Sequence, residues 1–514
     1  MFRSVGIRPF TRLSSSRCAS RTSLFNPCVA RSFSSTIRRY QNETDIETEV
    51  ESERKWSTPL AKQLSAAIST TGPVPLASYM RMCLTGDVGG YYTGAIGEGR
   101  DQFGTKGDFV TSPEISQIFG ELMGIWFIAE WISQGRPKQG AQLIEVGPGR
   151  GTLMDDMLRT IQRFPAMANS IDSVYMVEAS RELRDAQKQL LCGSDASSTE
   201  SESGFSCPSK YNSKQIVWTD SIKSIPIESD KMPFIIAHEF FDALPIHSFQ
   251  SAPVPPPQPK ASSPTSPPQP PPENNKPTME WREMMVSPTP PGVTHAQLGT
   301  PRSQQHEPPP EFQLILSSTP TRHSRFLPET STRYRKLKSM PDSVIEVCPD
   351  ASIFATDFAT RIGGSEEHPK ARPSGAALIL DYGTSDTVPI NSLRGIRHHK
   401  RVSPFSAPGL VDLSADVDFT AIADVAMSAS EGVEVHGPVN QGDFLEAMGI
   451  RERAEQLTKT PGVAKETVDK IEGAWKRLVD KGPDGMGKLY KVLAILPEND
   501  GRRRPVGFGG DVSG

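Results

Sequence analysis

The sequence predicts an α/β protein, a doubly wound and mostly parallel sheet, and three observations carry that prediction. Short apolar runs recur from residue 141 onward: "AQLIEVG", "SVYMVEA", "QIVWTD", "FIIAHE" and, much later, "AALILDYG". Helically spaced stretches separate them, one starting at Thr152 and one at Arg181, the alternation expected of a sheet covered by helices on both faces. The first run passes into "GPGRGTL", with Gly147, Gly149 and Gly151 just ahead of a helix. Glycine at every second position permits a tight turn and close backbone approach to a ligand at the switch point of a parallel sheet.

Ahead of the sheet, the first forty residues hold eight arginines, nine serines, no lysine and no acid. Residues 1–40 therefore read as a mitochondrial transit peptide, cationic enough to follow a membrane potential; the competing reading is a basic, disordered arm for nucleic acid. Removing eight arginines takes the formal charge from -4 to about -12. So acidic a mature chain is a poor nucleic-acid binder and suits a basic protein partner. Residues 41–58 are polar and acidic, a disordered linker. Residues 59–140 form an N-terminal helical region on the substrate side. In it "TPLAKQLSAAISTTGPVPLASYMRMCL" is two helices broken at Gly-Pro, and Ser112-Pro113-Glu114 opens another with a capping hydroxyl and a first-turn proline. Its apolar stripe runs Ile115, Ile118, Phe119, Leu122, Met123, Trp126 and Phe127.

Residues 141–497 hold the sheet, interrupted by two inserts expected to be disordered. Residues 192–213 are serine-rich, and 251–310 carry nineteen of the 46 prolines, a composition that favours solvated, extended chain. "WREMMV" and "EFQLILS" look like two strands of a hairpin with an overgrown loop. The amphipathic "VAKETVDKIEGAWKRLVDK" leads into a last strand, "LYKVLAIL", an antiparallel partner closing the sheet edge; residues 498–514 read as a disordered tail. With 514 residues the core needs no disulfides. The six cysteines form no C-x-x-C pair and lack zinc spacing, so neither a disulfide framework nor a metal site is expected. No apolar run is long enough to span a membrane.

The glycine spacing is neither the G-x-G-x-x-G of dinucleotide binding nor a phosphate loop with its lysine. Glu145 ahead of it is wrong for a pyrophosphate and right for an ammonium or sulfonium. Glu178 ends the second strand, placed to accept from ribose hydroxyls. Asp220 ends the third in "WTD", placed for an adenine amino group, with Trp218 able to stack nearby. Three acids at successive strand ends describe a cationic adenosine ligand, S-adenosyl-L-methionine; NAD or a structural glycine turn compete. The fourth strand, "FIIAHEFFDALP", puts His238, Glu239 and Asp242 where the reaction would occur. Methyl transfer is an in-line displacement that needs an aligned acceptor. Carboxylates can hold a guanidinium in bidentate fashion, with Phe240 and Phe241 as a dry wall. The competing readings make Glu239 a helix cap, Asp242 a surface pair and His238 structural.

Taken together, "GDFVTSPEISQIFGELMGIW", "IEVGPGRGTL", "AHEFFDALPIHSFQ", "LDYG", "LRG", "PGLVDLSADVDF" and "GPVNQGDFLEAMGI" resemble the MidA-like family, mitochondrial protein arginine methyltransferases that act as assembly factors for respiratory complex I. The resemblance runs from about Trp56 to Pro497 without the inserts. It implies a seven-stranded, Rossmann-like S-adenosyl-L-methionine-dependent methyltransferase sheet roofed by elements from both ends of the chain. It also implies symmetric dimethylation of an arginine in a complex I subunit, in the mitochondrial matrix. Carried onto this chain, Gly147, Gly149, Gly151 and Glu178 would hold the cofactor. Gly107, Thr111, Ser112 and Glu114 would line the acceptor side, and Gly124 would allow close helix packing. Asp412, Asp416 and Asp418 form either an acidic lip or turn and cap residues. A small-molecule N- or O-methyltransferase and a non-catalytic assembly chaperone are the alternative functions.

Overall fold

A computed structural model of the chain describes residues 54–94, 107–201, 204–211, 214–254, 278–483 and 485–509. The expected transit peptide, most of the linker, the proline tract 255–277 and residues 510–514 lie outside them. The apolar runs are strands: β1 (Ala141–Val146), β2 (Ile171–Val177), β3 (Thr199–Ser201), β4 (Gly204–Pro208), β5 (Gln215–Thr219), β6 (Met232–His238), β7 (Ala376–Thr384), β8 (Val433–Asn440) and β9 (Tyr490–Pro497). They line up as β8-β9-β7-β6-β1-β2-β5-β4-β3. β7, β6, β1, β2 and β5 are mutually parallel, and β9 runs antiparallel between β7 and β8. The predicted last strand is thus antiparallel but interior, because β8 covers its outer side.

Side chains alternate between two cores. On β1, β6 and β7, Leu143, Phe234 and Leu378 point to one, while Ile144, Ile235 and Ile379 point to the other. Burial on both faces is why these strands read as near-continuous apolar runs.

The helices that matter for the site are α1 (Pro59–Thr71), α2 (Leu76–Thr85), α3 (Gln117–Ser133), α4 (Thr152–Ile161), α5 (Arg181–Cys192), α6 (Pro349–Gly363) and α7 (Phe419–Ala429). α3 and α4 pack on one face of the sheet, α6 and α7 on the other. Gly124 lets α3 lie close on α4: a Cβ there would sit 3.3 Å from the Met157 Cα. The start of α3 differs by one turn from its prediction. Thr111, not Ser112, caps a four-residue helix over Ser112–Ile115 through a capping box with Glu114, and Ser116 then starts α3 afresh. α1 and α2 pack with a second sheet, in which strand 279–288 lies antiparallel to 247–253, 312–316 and 74–75. The expected "WREMMV"/"EFQLILS" hairpin is there. Among the described residues, no helix is long and apolar enough to cross a membrane.

Four stretches expected to be unstructured are folded where described. In 192–213, β3 and β4 form a hairpin that covers β5, with Phe205 stacked on Trp218 at 4.9 Å and Cys207 fully buried. The serine-rich composition there belongs to an edge strand's outer face, and the alternating Phe205 and Cys207 are the signal it obscured. In 251–310, strand 279–288 buries Trp281 and Val286. In 41–58, Trp56 stacks on Phe312 at 5.6 Å and Thr58 caps α1.

The described part of the tail, 498–509, docks as well. Arg503 forms a two-pronged ion pair with buried Glu130 at 2.8 and 2.9 Å, the Val506 carbonyl accepts from Trp126 Nε1 at 3.1 Å, and Phe508 meets Phe444 at 5.6 Å. Burying Val506 and Phe508 offsets chain ordering by roughly 1.5–3 kcal/mol each. A chain ending at residue 501 is expected to lose about 3 kcal/mol or more of stability, measured as a lower urea midpoint. An unchanged midpoint would show that the docked tail contributes nothing.

Candidate active site

The C-terminal ends of β1, β2, β5 and β6 open into a cavity of about 370 Å³, roofed by α2 and by the segment that leads into α3. Gly147, Gly149 and Gly151 all have left-handed backbone, with φ of 69°, 53° and 83°, which glycine alone adopts without cost. A Cβ on Gly147 would fall 2.6 Å from the Phe240 ring. Gly147 and Gly149 line the cavity; Gly151 lies behind it as the N-cap of α4, against Gln187.

Glu145, Glu178 and Asp220 line the cavity from three neighbouring strands, as the sequence predicts. Asp220 is exposed, while the two glutamates are buried. Burial, with Glu178 nearby, raises Glu145 well above the usual carboxylate range, and its Oε2 has no hydrogen-bond partner among the described residues. Burial likewise pushes Glu178 up to about 7, although the Ser180 N–H donates to it at 2.8 Å.

Gln187, fully buried on α5, ties this corner together. Its amide nitrogen donates to the Gly149 carbonyl at 2.6 Å and to Glu178 at 3.4 Å, and its oxygen accepts from Trp218 Nε1 at 2.9 Å. Trp218 is therefore a core residue that fixes Gln187 and is absent from the cavity wall, contrary to the expected stacking role. Its neighbour Phe205 holds the indole turned inward.

The loop after β6 is organised by an acid from another strand. Asp381 on β7, fully buried, accepts the backbone N–H groups of Phe240, Phe241 and Asp242 at 3.1, 2.8 and 3.2 Å on one oxygen and that of Tyr382 at 2.8 Å on the other. The turn it gathers forces Glu239 to φ 50°, and the Glu239 N–H donates to the Leu380 carbonyl at 3.0 Å. A left-handed glutamate costs on the order of 1 kcal/mol and persists only where its surroundings over-determine it.

The Glu239 carboxylate accepts from the Tyr490 hydroxyl and from the Ser112 N–H; burial and nearby Asp242 push it up to about 8. Its Oε1 and the His238 Nε2, 3.4 Å apart, are both buried and lack hydrogen-bond partners among the described residues. Burial pushes His238 down to about 3, between the rings of Phe119 and Tyr490. His238 is thus a neutral imidazole, which disfavours its expected use as a proton acceptor.

Thr111 and Glu114 line the cavity, with Arg150 3.8 Å from Glu114. Ser112 reaches the site through its N–H, and Gly107 is buried away from the cavity. Asp242 requires a correction. It is not part of the cavity wall; its N–H is used by Asp381 and its carbonyl accepts from Ala415 at 2.9 Å. Burial pushes its carboxyl up to about 6, opposed by Arg394. A direct role on substrate is replaced by one in the packing beneath the site. Phe240 walls the cavity as expected, and Phe241 is core.

The "VDLSADVDF" acids do not make a lip. Asp412 is buried and accepts from Tyr92, Asp416 pairs with Arg394 at 2.5 Å, and Asp418 caps α7 and pairs with Arg333 at 2.8 Å. Sequence reasoning missed Asp381, Gln187, Tyr490, Tyr92 and the Arg81–Asp350 pair at the cavity wall, 2.9 Å apart. Except for Gln187, which meets Glu178 nine positions away, their partners lie far away along the chain, and only "LDYG", already singled out as a motif, pointed toward one of them.

The cavity is an acid-rich recess that fits a cationic adenosine group between Gly147 and Glu178. Comparisons agree. A family of S-adenosyl-L-methionine-dependent methyltransferases matches residues 122–439. Protein arginine methyltransferase NDUFAF7, mitochondrial, of Xenopus tropicalis is 34% identical over 475 residues, spanning 92% of this chain and 93% of that protein. The Homo sapiens protein of the same name is 33% identical over 444 residues, spanning 86% and 84%. A crystal structure of a Burkholderia thailandensis protein bound to S-adenosyl-homocysteine matches in fold with a TM-score of 0.57 at 20% identity, over 92% of this chain and 96% of that one.

Because Glu239 keeps its proton in the folded state up to about 8 but would release it near 4.5 when unfolded, it lowers stability progressively as pH rises between those values. Glu239→Gln is expected to unfold at a higher urea concentration than the parent at pH 8–9, by on the order of 1–3 kcal/mol, with the gap shrinking toward pH 5. A gap that does not change with pH would show that Glu239 is not the buried titrating group described.

Proposed function

This chain belongs to the MidA-like S-adenosyl-L-methionine-dependent methyltransferases, and from that membership we propose that it methylates an arginine of a mitochondrial protein, a subunit of complex I (NADH:ubiquinone oxidoreductase), to the symmetric dimethyl form. The carrying observation is the pair of buried polar atoms without partners among the described residues, Glu239 Oε1 and His238 Nε2, side by side in an acid-lined recess. A guanidinium is planar, permanently charged and rich in N–H donors, so it answers both at once. The relatives named above are mitochondrial proteins, and the protein is mitochondrial. A mature chain of about -12 matches a basic protein substrate, and complex I assembly is the process such a modification would serve.

Bound in the cavity, S-adenosyl-L-methionine supplies an electrophilic methyl group on a sulfonium. Glu178 is assigned to the ribose hydroxyls, Asp220 to the adenine amino group, Glu145 to the cationic methionine end, and the Gly147–Gly149 backbone to close approach. Glu239, ionised once a guanidinium pairs with it, orients the acceptor nitrogen and takes up the proton that nitrogen loses; its raised acidity range suits that exchange. Neutral His238 accepts one further N–H, and Phe240 excludes water. Thr111 and Glu114 face the incoming peptide.

Two substitutions separate the roles. Glu239→Gln should leave S-adenosyl-L-methionine affinity within about threefold while transfer falls by roughly 100-fold or more; unchanged transfer would remove Glu239 from the reaction. Glu178→Ala should weaken cofactor binding by about 10–100-fold in calorimetry, the cost of one or two hydrogen bonds to a charged group. The substrate itself is tested by incubating the protein and labelled cofactor with an extract of cells lacking it. Label in one protein, as symmetric dimethylarginine, is expected, and label confined to metabolites would overturn the reading.

A further inference from the structure

Away from the cavity, the second sheet holds a cluster that neither the fold nor the methyl-transfer site uses. His247 begins strand 247–253 and Glu283 lies on the neighbouring strand, diagonal to it on the same face, since Phe249 is the residue directly opposite Glu283. His323 comes from the short helix Arg322–Phe326, which folds back over the strands. One ligand atom from each residue lies within 4.8 Å of the other two. His247 Nδ1 is 2.7 Å and His323 Nδ1 is 3.4 Å from Glu283 Oε1, and the two imidazole rings are 4.4 Å apart.

We propose that His247, Glu283 and His323 form a binding site for a divalent transition-metal ion of the zinc class, stapling the 317–326 segment to the second sheet. Two imidazoles and a carboxylate are a recurrent zinc set, and imidazole nitrogens select such ions over magnesium or calcium. Ligand atoms around tetrahedral zinc stand about 3.4 Å apart given bonds of about 2.1 Å, so the observed separations need only small adjustments.

The surroundings resemble those of a built site. Glu283 has no solvent exposure, and a dication held between it and the two imidazoles would balance its buried charge. The Thr321 hydroxyl donates to its second oxygen, and the Ser317 hydroxyl accepts from its N–H at 3.0 Å, which fixes the carboxylate's orientation as outer-shell partners do. His323 is 44% exposed on its side chain, leaving a solvent-facing position for a water as fourth ligand. Cysteine spacing could not reveal the site, because its ligands are histidines and a glutamate brought together by strand pairing.

The test uses the full chain, stripped with a chelator and then titrated with zinc chloride against a chromophoric competitor. One equivalent bound at sub-micromolar free zinc is expected, and cobalt in its place should give the visible bands of a tetrahedral centre. His323→Ala, at a half-exposed position that the fold tolerates, should weaken zinc binding at least tenfold. No saturable uptake at micromolar zinc would overturn the site and leave a plain His–Glu pair; so would uptake that His323→Ala does not change.

Discussion

A single carboxylate organises the reaction end of this molecule. Asp381 sits on the strand beside the one that carries His238, and its oxygens collect four backbone N–H groups, three of them from residues 240–242. Burial and nearby Asp242 raise the Asp381 carboxyl well above the usual range, and even at about 0.5–1.5 kcal/mol for each net hydrogen bond the four together outweigh the strain of left-handed Glu239. With the turn fixed, the Glu239 side chain points up toward Ser112 and Tyr490 and not along the strand. Without that anchor the chain after β6 would have no reason to leave extended geometry at a glutamate.

The same arrangement accounts for the electrostatics of the cavity. Glu145, Glu178 and Glu239 are all held above their ordinary acidity ranges by burial, and among the described residues no lysine lines the space. Carboxyls in that state are poised for cations. An incoming positive group restores their ionised form and is held by it. Among the described residues of the cavity wall, Arg81 and Arg150 lie near Asp350 and Glu114, which offset their charge.

Much of this was legible in the chain because it is local. The glycine loop, the acids at the ends of β1, β2 and β5, and Glu239 after β6 are each a strand signal followed within a few residues by its functional group, so period and residue chemistry suffice. What was illegible is relational. Asp381 meets its partners about 140 positions away, and Tyr490 meets Glu239 from the far end of the chain; nothing in "LDYG" or "KLYKVL" states that pairing. Asp242 misled for the same reason: its nearness to Glu239 in sequence suggested a shared face, but the turn sends it downward. The serine-rich hairpin was misread because composition outweighed the two alternating residues, Phe205 and Cys207, that face inward.

The position of β9 carries a further implication. Tyr490, the hydroxyl partner of Glu239, begins the strand that slots between β7 and β8, and the segment past it closes over Trp126. A polypeptide delivered head first, whether from the ribosome or through a translocation channel, presents the glycine loop and His238 long before these pieces arrive. During that interval Glu239 lacks its hydroxyl donor. Glu239 thereby acquires its full set of donors only when β9 has taken its place in the sheet.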